Sequence, residues 1–199
     1  MYNPNRGEPL TKTTGVPAGK ILLSEEQIQK RVRELAASIS KDYAGKTCNA
    51  VCVLENGFMF MTDLVRHIEI PTLCNFIKPT FQEKPHGSVL ATEITYSPSV
   101  HVKGQHILLV EGLVQSGVTS DYLMHHMLSQ GAASVKLAAL LDKSSARRVS
   151  LRPDYFGFIL DESFVMGYGL GAPMLGRNLP YIQAVSSRVA TSSPLETVR

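Results

Sequence analysis

Two continuous apolar runs flank one stretch of helical periodicity, and this pattern constrains the fold of the chain more than any other feature. The runs occupy residues 106–110 and 134–141, and the helical pattern spans 118–130 and ends before Gly131. Continuous apolar strands are typical of parallel sheets buried on both faces, because crossover helices connect parallel neighbours compactly. The pattern therefore predicts an α/β fold, with a mostly parallel twisted sheet and helices on both faces.

The same alternation of helices and strands extends through most of the chain. A capping-box pattern at Ser24 and Gln27 begins an amphipathic helix that ends by Gly45, and a second helical stretch follows at 58–68. The polar stretch 78–88 contains two prolines and predicts a mobile loop or hairpin. Short apolar runs predict further strands at 49–54, 72–77, 89–96, 155–160 and 164–165.

Length and composition favour one globular domain. The chain has 199 residues, of which 44% are hydrophobic and 19% charged, and no apolar run approaches the roughly 20 residues that span a bilayer. The Pro-, Gly- and Thr-rich start lacks a secretory apolar stretch, which indicates a cytoplasmic protein. We expect a flexible N-terminal arm at 1–20, one domain at 21–185 and a flexible C-terminal tail at 186–199.

The distribution of charges and cysteines argues against nucleic-acid and zinc binding. The net charge is +3, and the basic residues are scattered instead of alternating with aromatic residues. Arg147 and Arg148 could meet a phosphate, although a solvated surface pair is the favoured interpretation. Cys48, Cys52 and Cys74 lack metal-ligand spacing and are predicted to be small buried hydrophobes without a disulfide.

The turn after the strand at 106–110 is the first place to look for a ligand, because open α/β sheets bind ligands beyond the carboxyl ends of their strands. There, Ser116 and Thr119 open a helix and could present hydroxyls and N–H groups to a phosphate. On spacing alone, an ordinary turn with Ser116 or Thr119 as N-cap is the better interpretation. A serine hydrolase elbow is excluded, because Val114 and Val118 stand where it needs glycine. A phosphate-loop hydrolase lacks its Gly-Lys-Ser/Thr.

The segment LLVEGLVQSGVT at 108–119 resembles the phosphoribosyl pyrophosphate signature of type I phosphoribosyltransferases. Further stretches resemble the hypoxanthine-guanine branch of that family, in one order, and cover most of the chain from Ile21 to Ile182. They are ILLSEEQIQKRVRELAASIS, GFMFMTDLVR, LLDKSSARR, DYFGFILDESFVMGYGL and RNLPY. The resemblance implies the type I phosphoribosyltransferase fold with a small C-terminal hood region, and transfer of phosphoribosyl from phosphoribosyl pyrophosphate to hypoxanthine or guanine.

The resemblance also implies roles for single residues. Lys143 would donate to the exocyclic oxygen of a 6-oxopurine, Phe164 would stack on the ring, and Val165 would contact it through its backbone. Without the resemblance, core packing would be the better interpretation of Phe164. Arg177 matches an arginine at the pyrophosphate end. The positions that match the loop holding the 5′-phosphate are Ser116, Gly117, Val118 and Thr119.

The chain departs from the family on the phosphoribosyl side of the site. Of two paired acidic residues that hold the ribose and magnesium, Glu111 remains and Gly112 replaces the other. Gln115 replaces the aspartate that takes the purine proton, and an amide is no general base at pH 7. Gly171 replaces a magnesium-binding aspartate. The turn at residues 54–57 stands where the family has a Lys- and Gly-rich pyrophosphate loop, and Glu55 in this turn would repel the pyrophosphate.

These departures leave two hypotheses open. One is a purine-salvage enzyme with impaired catalysis and a weakened Mg²⁺ site, in which Glu111 contributes through the ribose and the metal. The other is a catalytically silent protein that binds a purine or purine monophosphate, as a regulator or subunit. The resemblance also implies a homodimer or homotetramer, formed through the region near the first core helix.

Overall fold

A computed structural model describes residues 19–83, 89–96, 100–161, 164–171 and 176–185, with side chains except at 80–83 and 89–96. Nearly all of the predicted arm at 1–20, the predicted tail at 186–199 and residues 84–88 of the predicted loop therefore lie outside the described residues. The chain divides into two compact units. The larger is Glu25–Asp161, and the smaller contains the described residues of 1–24 and 162–199.

The described elements follow the predicted order of helices and strands. In chain order they are β1 (Ile21–Leu23), α1 (Glu25–Asp42), β2 (Cys48–Val53), α2 (Phe58–His67), β3 (Thr72–Glu83), β4 (Val89–Tyr96), β5 (His106–Val114), α3 (Val118–Ser129), β6 (Ser134–Asp142), a 3₁₀ turn (Ser144–Ala146), β7 (Tyr155–Ile159), β8 (Val165–Met166) and β9 (Ile182–Ala184).

The larger unit is built on a six-stranded sheet with the order β4-β3-β2-β5-β6-β7. Five of its strands are parallel, and β4 pairs antiparallel with β3 at one edge. Helix α2 connects β2 to β3, and α3 connects β5 to β6 in the opposite direction across the sheet. Right-handed crossovers therefore place these two helices on opposite faces. The predicted α/β fold is confirmed.

Both faces of the central strands are buried, which explains why their sequences lack polar alternation. On one face, Val51, Ile107 and Leu109 pack in a single cluster with Leu123 and Met127 of α3. Helices α1 and α2 pack against each other, and they contact β7 and β5 respectively. The sheet is therefore packed between helices.

Two strands are longer than the sequence predicts. Strand β3 continues through the polar stretch to Glu83, because β4 pairs with it as the second arm of a hairpin. Strand β5 continues through Glu111 and Gly112 to Val114, although the predicted strand ended at residue 110. Its last two residues, Leu113 and Val114, pair with Leu141 and Asp142 of β6. Because of these extra residues, the turn that precedes α3 begins only after Val114.

A polar network ties α1 to the amino ends of β6 and β7. The Tyr155 hydroxyl donates to Asp42 Oδ2 at 2.7 Å, and Lys136 Nζ donates to the same oxygen at 3.0 Å. Lys136 also lies over the Tyr43 and Tyr155 rings, at 5.9 and 5.2 Å from their centroids. These donors lower the pKa of Asp42. Ionic, hydrogen-bonding and cation–π interactions therefore connect the end of α1 to β6 and β7.

The smaller unit contains a three-stranded antiparallel sheet with the order β1-β9-β8. Met166 and Leu179 form its buried apolar cluster. Gly167 has a positive φ of 112°, and a Cβ there would lie 1.8 Å from the Tyr181 carbonyl oxygen, so only glycine fits this close approach. Of the described helices, none is long and apolar enough to cross a membrane.

Candidate functional site

A cavity of about 260 Å³ lies where β5 leaves the sheet, at the carboxyl end where α/β proteins bind ligands. It brings together five of the predicted site residues: Glu111, Gln115, Ser116, Gly117 and Thr119. The remaining lining residues are Asn56, Leu113, Val114 and Ser120. The cavity is thus lined mainly by hydroxyls, amides and backbone from the turn before α3. Val118, the other predicted phosphate residue, begins α3 with its side chain exposed.

The N-cap of α3 is Gly117, not Ser116 or Thr119. Gly117 has φ +77°, the left-handed conformation that favours glycine, and it provides no side-chain cap. Ser116 Oγ accepts only a long bond, of 3.4 Å, from the backbone N of Val118. A helix N-terminus whose first turn lacks a side-chain cap is suited to an anion, because its N–H groups and dipole favour negative charge.

Glu111 is the one carboxylate among the described residues that line the cavity, and it is buried, with 8% of its surface exposed. Burial raises its pKa to about 7, and a hydrogen bond from Ser120 and the charge of Arg147 oppose that rise. Its Oε1 atom has no hydrogen-bond partner among the described residues. Glu111 is therefore divided between its acid and carboxylate forms near neutral pH.

Lys143, the predicted purine contact, lies at the start of a turn that is hydrogen-bonded to the turn before α3. The backbone N of Lys143 donates to the Val114 carbonyl at 2.9 Å, and a 3₁₀ turn follows at Ser144–Ala146. The backbone N of Arg148 donates to the Ser116 carbonyl, also at 2.9 Å. The side chain of Arg148 is exposed, as the solvated-surface interpretation predicts. Arg147 does not fit that interpretation, because its side chain is largely buried and ion-paired with Asp142.

Glu55, which the sequence predicts to repel pyrophosphate, forms an ion pair in the turn after β2. Lys78 Nζ of β3 lies 3.0 Å from Glu55 Oε1, and both side chains are exposed. Because the pair is open to solvent, the lysine screens the carboxylate only in part. A lysine is thus present near this turn, but it is held by a negative partner.

Phe164, Val165 and Arg177 belong to the smaller unit. Val165 begins β8, and the Phe164 carbonyl accepts a bond of 3.0 Å from the backbone N of Val185. Phe164 is 42% exposed, so its ring is not a core side chain, and the alternative of core packing is wrong. Arg177 Nη1 donates to the Gly169 carbonyl at 2.7 Å. The backbone N of Gly169 also donates to the Arg177 carbonyl at 2.9 Å, so two hydrogen bonds join Arg177 to Gly169.

The described residues do not fit a magnesium ion held by protein side chains alone. No group of three His, Cys, Asp or Glu residues in the described ranges is arranged to hold a metal ion. In the cavity, the single carboxylate Glu111 has a raised pKa, and magnesium prefers ionised carboxylates together with phosphate oxygens.

Sequence reasoning gives no role to three residues that shape the site: Asn56, Ser120 and Asp142. Ser120 lies inside a helix and Asp142 ends a strand, positions where polar residues usually face solvent, and both are buried here. Arg147 differs from these three, because the basic pair Arg147 and Arg148 indicates a possible phosphate contact in the sequence, although a solvated surface is the favoured interpretation there. Of the cysteines, Cys48 and Cys52 are buried as predicted, whereas Cys74 is exposed.

Comparison with known proteins gives consistent matches. Residues 19–172 match the family model of the phosphoribosyl transferase domain. The hypoxanthine-guanine phosphoribosyltransferase of Bacillus subtilis is 35% identical over 173 residues, which cover 87% of this chain and 96% of that protein. A Staphylococcus aureus hypoxanthine phosphoribosyltransferase structure superposes with a TM-score of 0.82 at 29% identity, over 94% of this chain and 100% of that one.

A second solved structure was obtained with ligands. A mutant hypoxanthine phosphoribosyltransferase of Trypanosoma cruzi, in a ternary substrates complex, superposes with a TM-score of 0.80. The two chains are 32% identical, and the match covers 85% of this chain and 96% of that one.

Proposed function

The chain belongs to the hypoxanthine-guanine phosphoribosyltransferase family, and we propose that it transfers phosphoribosyl from phosphoribosyl pyrophosphate to a 6-oxopurine in purine salvage, with impaired catalysis. The cavity before α3 carries this proposal. It keeps a glycine N-cap and the hydroxyl residues suited to a 5′-phosphate, and it has one carboxylate where two acidic residues are expected.

The recognition of the purine is proposed to be intact. Lys143 follows directly after β6, and its backbone N donates to the Val114 carbonyl. This bond holds Lys143 close to residues 115–117, the turn that we propose binds the phosphate (the phosphate turn). The exposed ring of Phe164 is available for stacking on a heterocycle. In this proposal, Val165 contributes backbone contacts and Arg177 meets the pyrophosphate end.

The proposed weakness is in proton transfer and charge stabilisation. Gln115 lines the cavity and its amide can accept a hydrogen bond from the purine N–H, but it cannot take the proton at pH 7. Water must then act as the base, and a positioned base contributes about 10²–10⁴-fold to a rate. Glu111, with its pKa raised to about 7, supplies only part of a negative charge at neutral pH. We assign Mg²⁺ no protein ligand beyond this weak contribution.

The experiment that tests the proposal measures turnover and binding on the same preparation. Purified protein with magnesium is assayed for inosine or guanosine monophosphate formed from hypoxanthine or guanine plus the donor. Thermal shifts with the same monophosphates measure binding. Slow turnover together with a shift supports the proposal, whereas neither turnover nor a shift contradicts it.

A base-restoring variant tests the proposed cause of impairment. Gln115→Asp replaces an exposed side chain, so we expect the fold to tolerate it and turnover to rise by about tenfold or more. Gln130→Asp is the matched control, because Gln130 is also exposed and lies at the other end of α3. If neither Gln115→Asp nor its combination with Gly112→Asp and Gly171→Asp raises turnover, the missing carboxylates are not the cause.

A catalytically silent purine-monophosphate binder is the second candidate, and the Glu55–Lys78 ion pair favours it. The pair keeps a carboxylate in the turn after β2, where a pyrophosphate-binding loop would need a cation. A monophosphate makes no such demand. This candidate predicts a thermal shift with inosine monophosphate, no shift with phosphoribosyl pyrophosphate, and no turnover in any of the restored variants.

We also propose a homodimer or homotetramer, which the family resemblance implies through the region near α2. Leu73 and Phe76 of β3, the strand that follows α2, are large apolar side chains left exposed. Sedimentation velocity of the protein and of Phe76→Ser measures this. We expect the substitution to shift the distribution toward monomer, and an unchanged monomeric profile in both would contradict the proposal.

A further inference from the structure

Arg147 is a buried cation at the back of the phosphate turn. Its side chain is 12% exposed and forms an ion pair with Asp142, which is 7% exposed and ends β6. A buried ion pair is weak evidence for stability, because desolvation offsets much of the attraction between the charges. Such a pair is better explained by the geometry that it imposes on the segments it joins.

The guanidinium of Arg147 packs directly against the N-cap of α3. A Cβ added at Gly117 would lie 2.9 Å from Arg147 Cδ and 3.0 Å from its Nη1 atom. The turn at Gly117 can therefore take its left-handed conformation at this place only because glycine leaves room for the arginine. The arginine side chain in turn limits how far the Gly117 backbone can move.

Two backbone hydrogen bonds join the same pair of segments. Lys143 N donates to the Val114 carbonyl and Arg148 N donates to the Ser116 carbonyl, each at 2.9 Å. Arg147 lies between these bonds along the chain, and its Nη1 atom is buried without a partner among the described residues. Its charge also acts on Glu111, since it opposes the rise in the pKa of that carboxyl group.

We propose that Arg147 is a positioning residue that couples the purine-reading turn at Lys143 to the phosphate turn at 115–117. The inference rests on the proposed function, because it requires a ligand that spans both turns. With the Asp142–Arg147 pair in place, the two turns move as one body. A nucleoside monophosphate then meets both at a fixed separation, whereas a base or a sugar phosphate alone meets only one.

The test compares three ligands by isothermal titration: inosine monophosphate, hypoxanthine and ribose 5-phosphate. For Arg147→Met we expect inosine monophosphate affinity to fall by about 10- to 100-fold, which is within the range of about 5- to 150-fold by which coupling between two sites usually changes affinity. The affinities for hypoxanthine and ribose 5-phosphate are expected to stay within about twofold, the usual margin for independent sites. A general loss of structure would weaken all three ligands together.

Two further variants separate positioning from folding. Arg147→Lys keeps the charge beside Asp142 but lacks the guanidinium at Gly117, so we expect thermal stability to recover and inosine monophosphate affinity to stay low. Arg148→Met is the matched control, because it removes the same charge from an exposed side chain next in sequence. We expect it to bind all three ligands as the unmodified protein does.

The outcomes distinguish this inference from the proposed function. If the unmodified protein binds inosine monophosphate and Arg147→Met or Arg147→Lys binds it equally well, the coupling role is refuted and the proposed function stands. Equal losses for Arg147→Met and Arg148→Met would also refute the coupling role, because the effect would then be one of net charge. If the unmodified protein binds none of the ligands, both fail.

Discussion

Replacing Glu111 by glutamine should remove a pH-dependent decrease in the free energy of unfolding. In the folded protein the pKa of this carboxyl group is raised from 4.5 to about 7, with burial as the main cause. Below pH 4.5 the group is protonated in both the folded and the unfolded chain, so it contributes no cost. Between pH 4.5 and about 7 the unfolded chain ionises first, and the free energy of unfolding falls as the pH rises.

The size of this cost follows from the two pKa values. At about 1.4 kcal/mol for each unit of pKa, the rise from 4.5 to about 7 corresponds to about 3 kcal/mol. Glutamine keeps an oxygen that can accept the bond from Ser120, but it has no charge to desolvate. Urea unfolding of both proteins at several pH values between 4 and 9 measures the effect. We expect Glu111→Gln to gain about 3 kcal/mol relative to the parent between the two ends of this range.

Only the change with pH matters, because a glutamine that packs poorly would shift stability equally at every pH. Glu69→Gln is the control, since it makes the same substitution at an exposed carboxylate outside the cavity. Parallel profiles for Glu111→Gln and the parent would refute the reasoning, because they would mean that Glu111 ionises equally easily in the folded and unfolded chains.

Two further substitutions test the turns around the cavity. Gly117→Ala should lower the free energy of unfolding, measured in urea, by at least about 1 kcal/mol more than Gly104→Ala does. Both glycines have a positive φ, but of the two only Gly117 is crowded, by Arg147. Equal losses would mean that Arg147 does not restrict the space at Gly117. Glu55→Lys should raise the affinity for inorganic pyrophosphate by about tenfold in isothermal titration, since it removes a repelling charge and the partner that holds Lys78; unchanged affinity would place pyrophosphate elsewhere.

The fold was largely predictable, because it follows from local patterns. Apolar strands separated by amphipathic helices allow few arrangements besides a parallel sheet, and the predicted helices begin within a residue or so of their observed starts. The end of β5 was not predictable in this way. Glu111 and Gly112 indicate a turn on composition, and only pairing of Leu113 and Val114 with the neighbouring strand extends β5 past them.

The sequence predicts which positions line the candidate site, but not how deeply each side chain is buried or which partner it has. Five residues that the sequence predicts for the site line one cavity in the structure, and their roles there stay predictions. Arg147 and Arg148 show what a sequence leaves out. They are identical neighbours, yet Arg147 is largely buried in an ion pair with Asp142, whereas Arg148 is exposed. Such differences arise from tertiary contacts, which no local pattern encodes.

The network of Asp42, Lys136 and Tyr155 lies at the amino ends of β6 and β7, whereas the cavity lies at the carboxyl end of β5. Substitutions that share no partner and lie well apart usually have additive effects. The protein therefore has two separate regions in which substitutions can be combined. Substitutions that alter thermal stability near Tyr155 and substitutions of residues that line the cavity are therefore expected to have additive effects on stability.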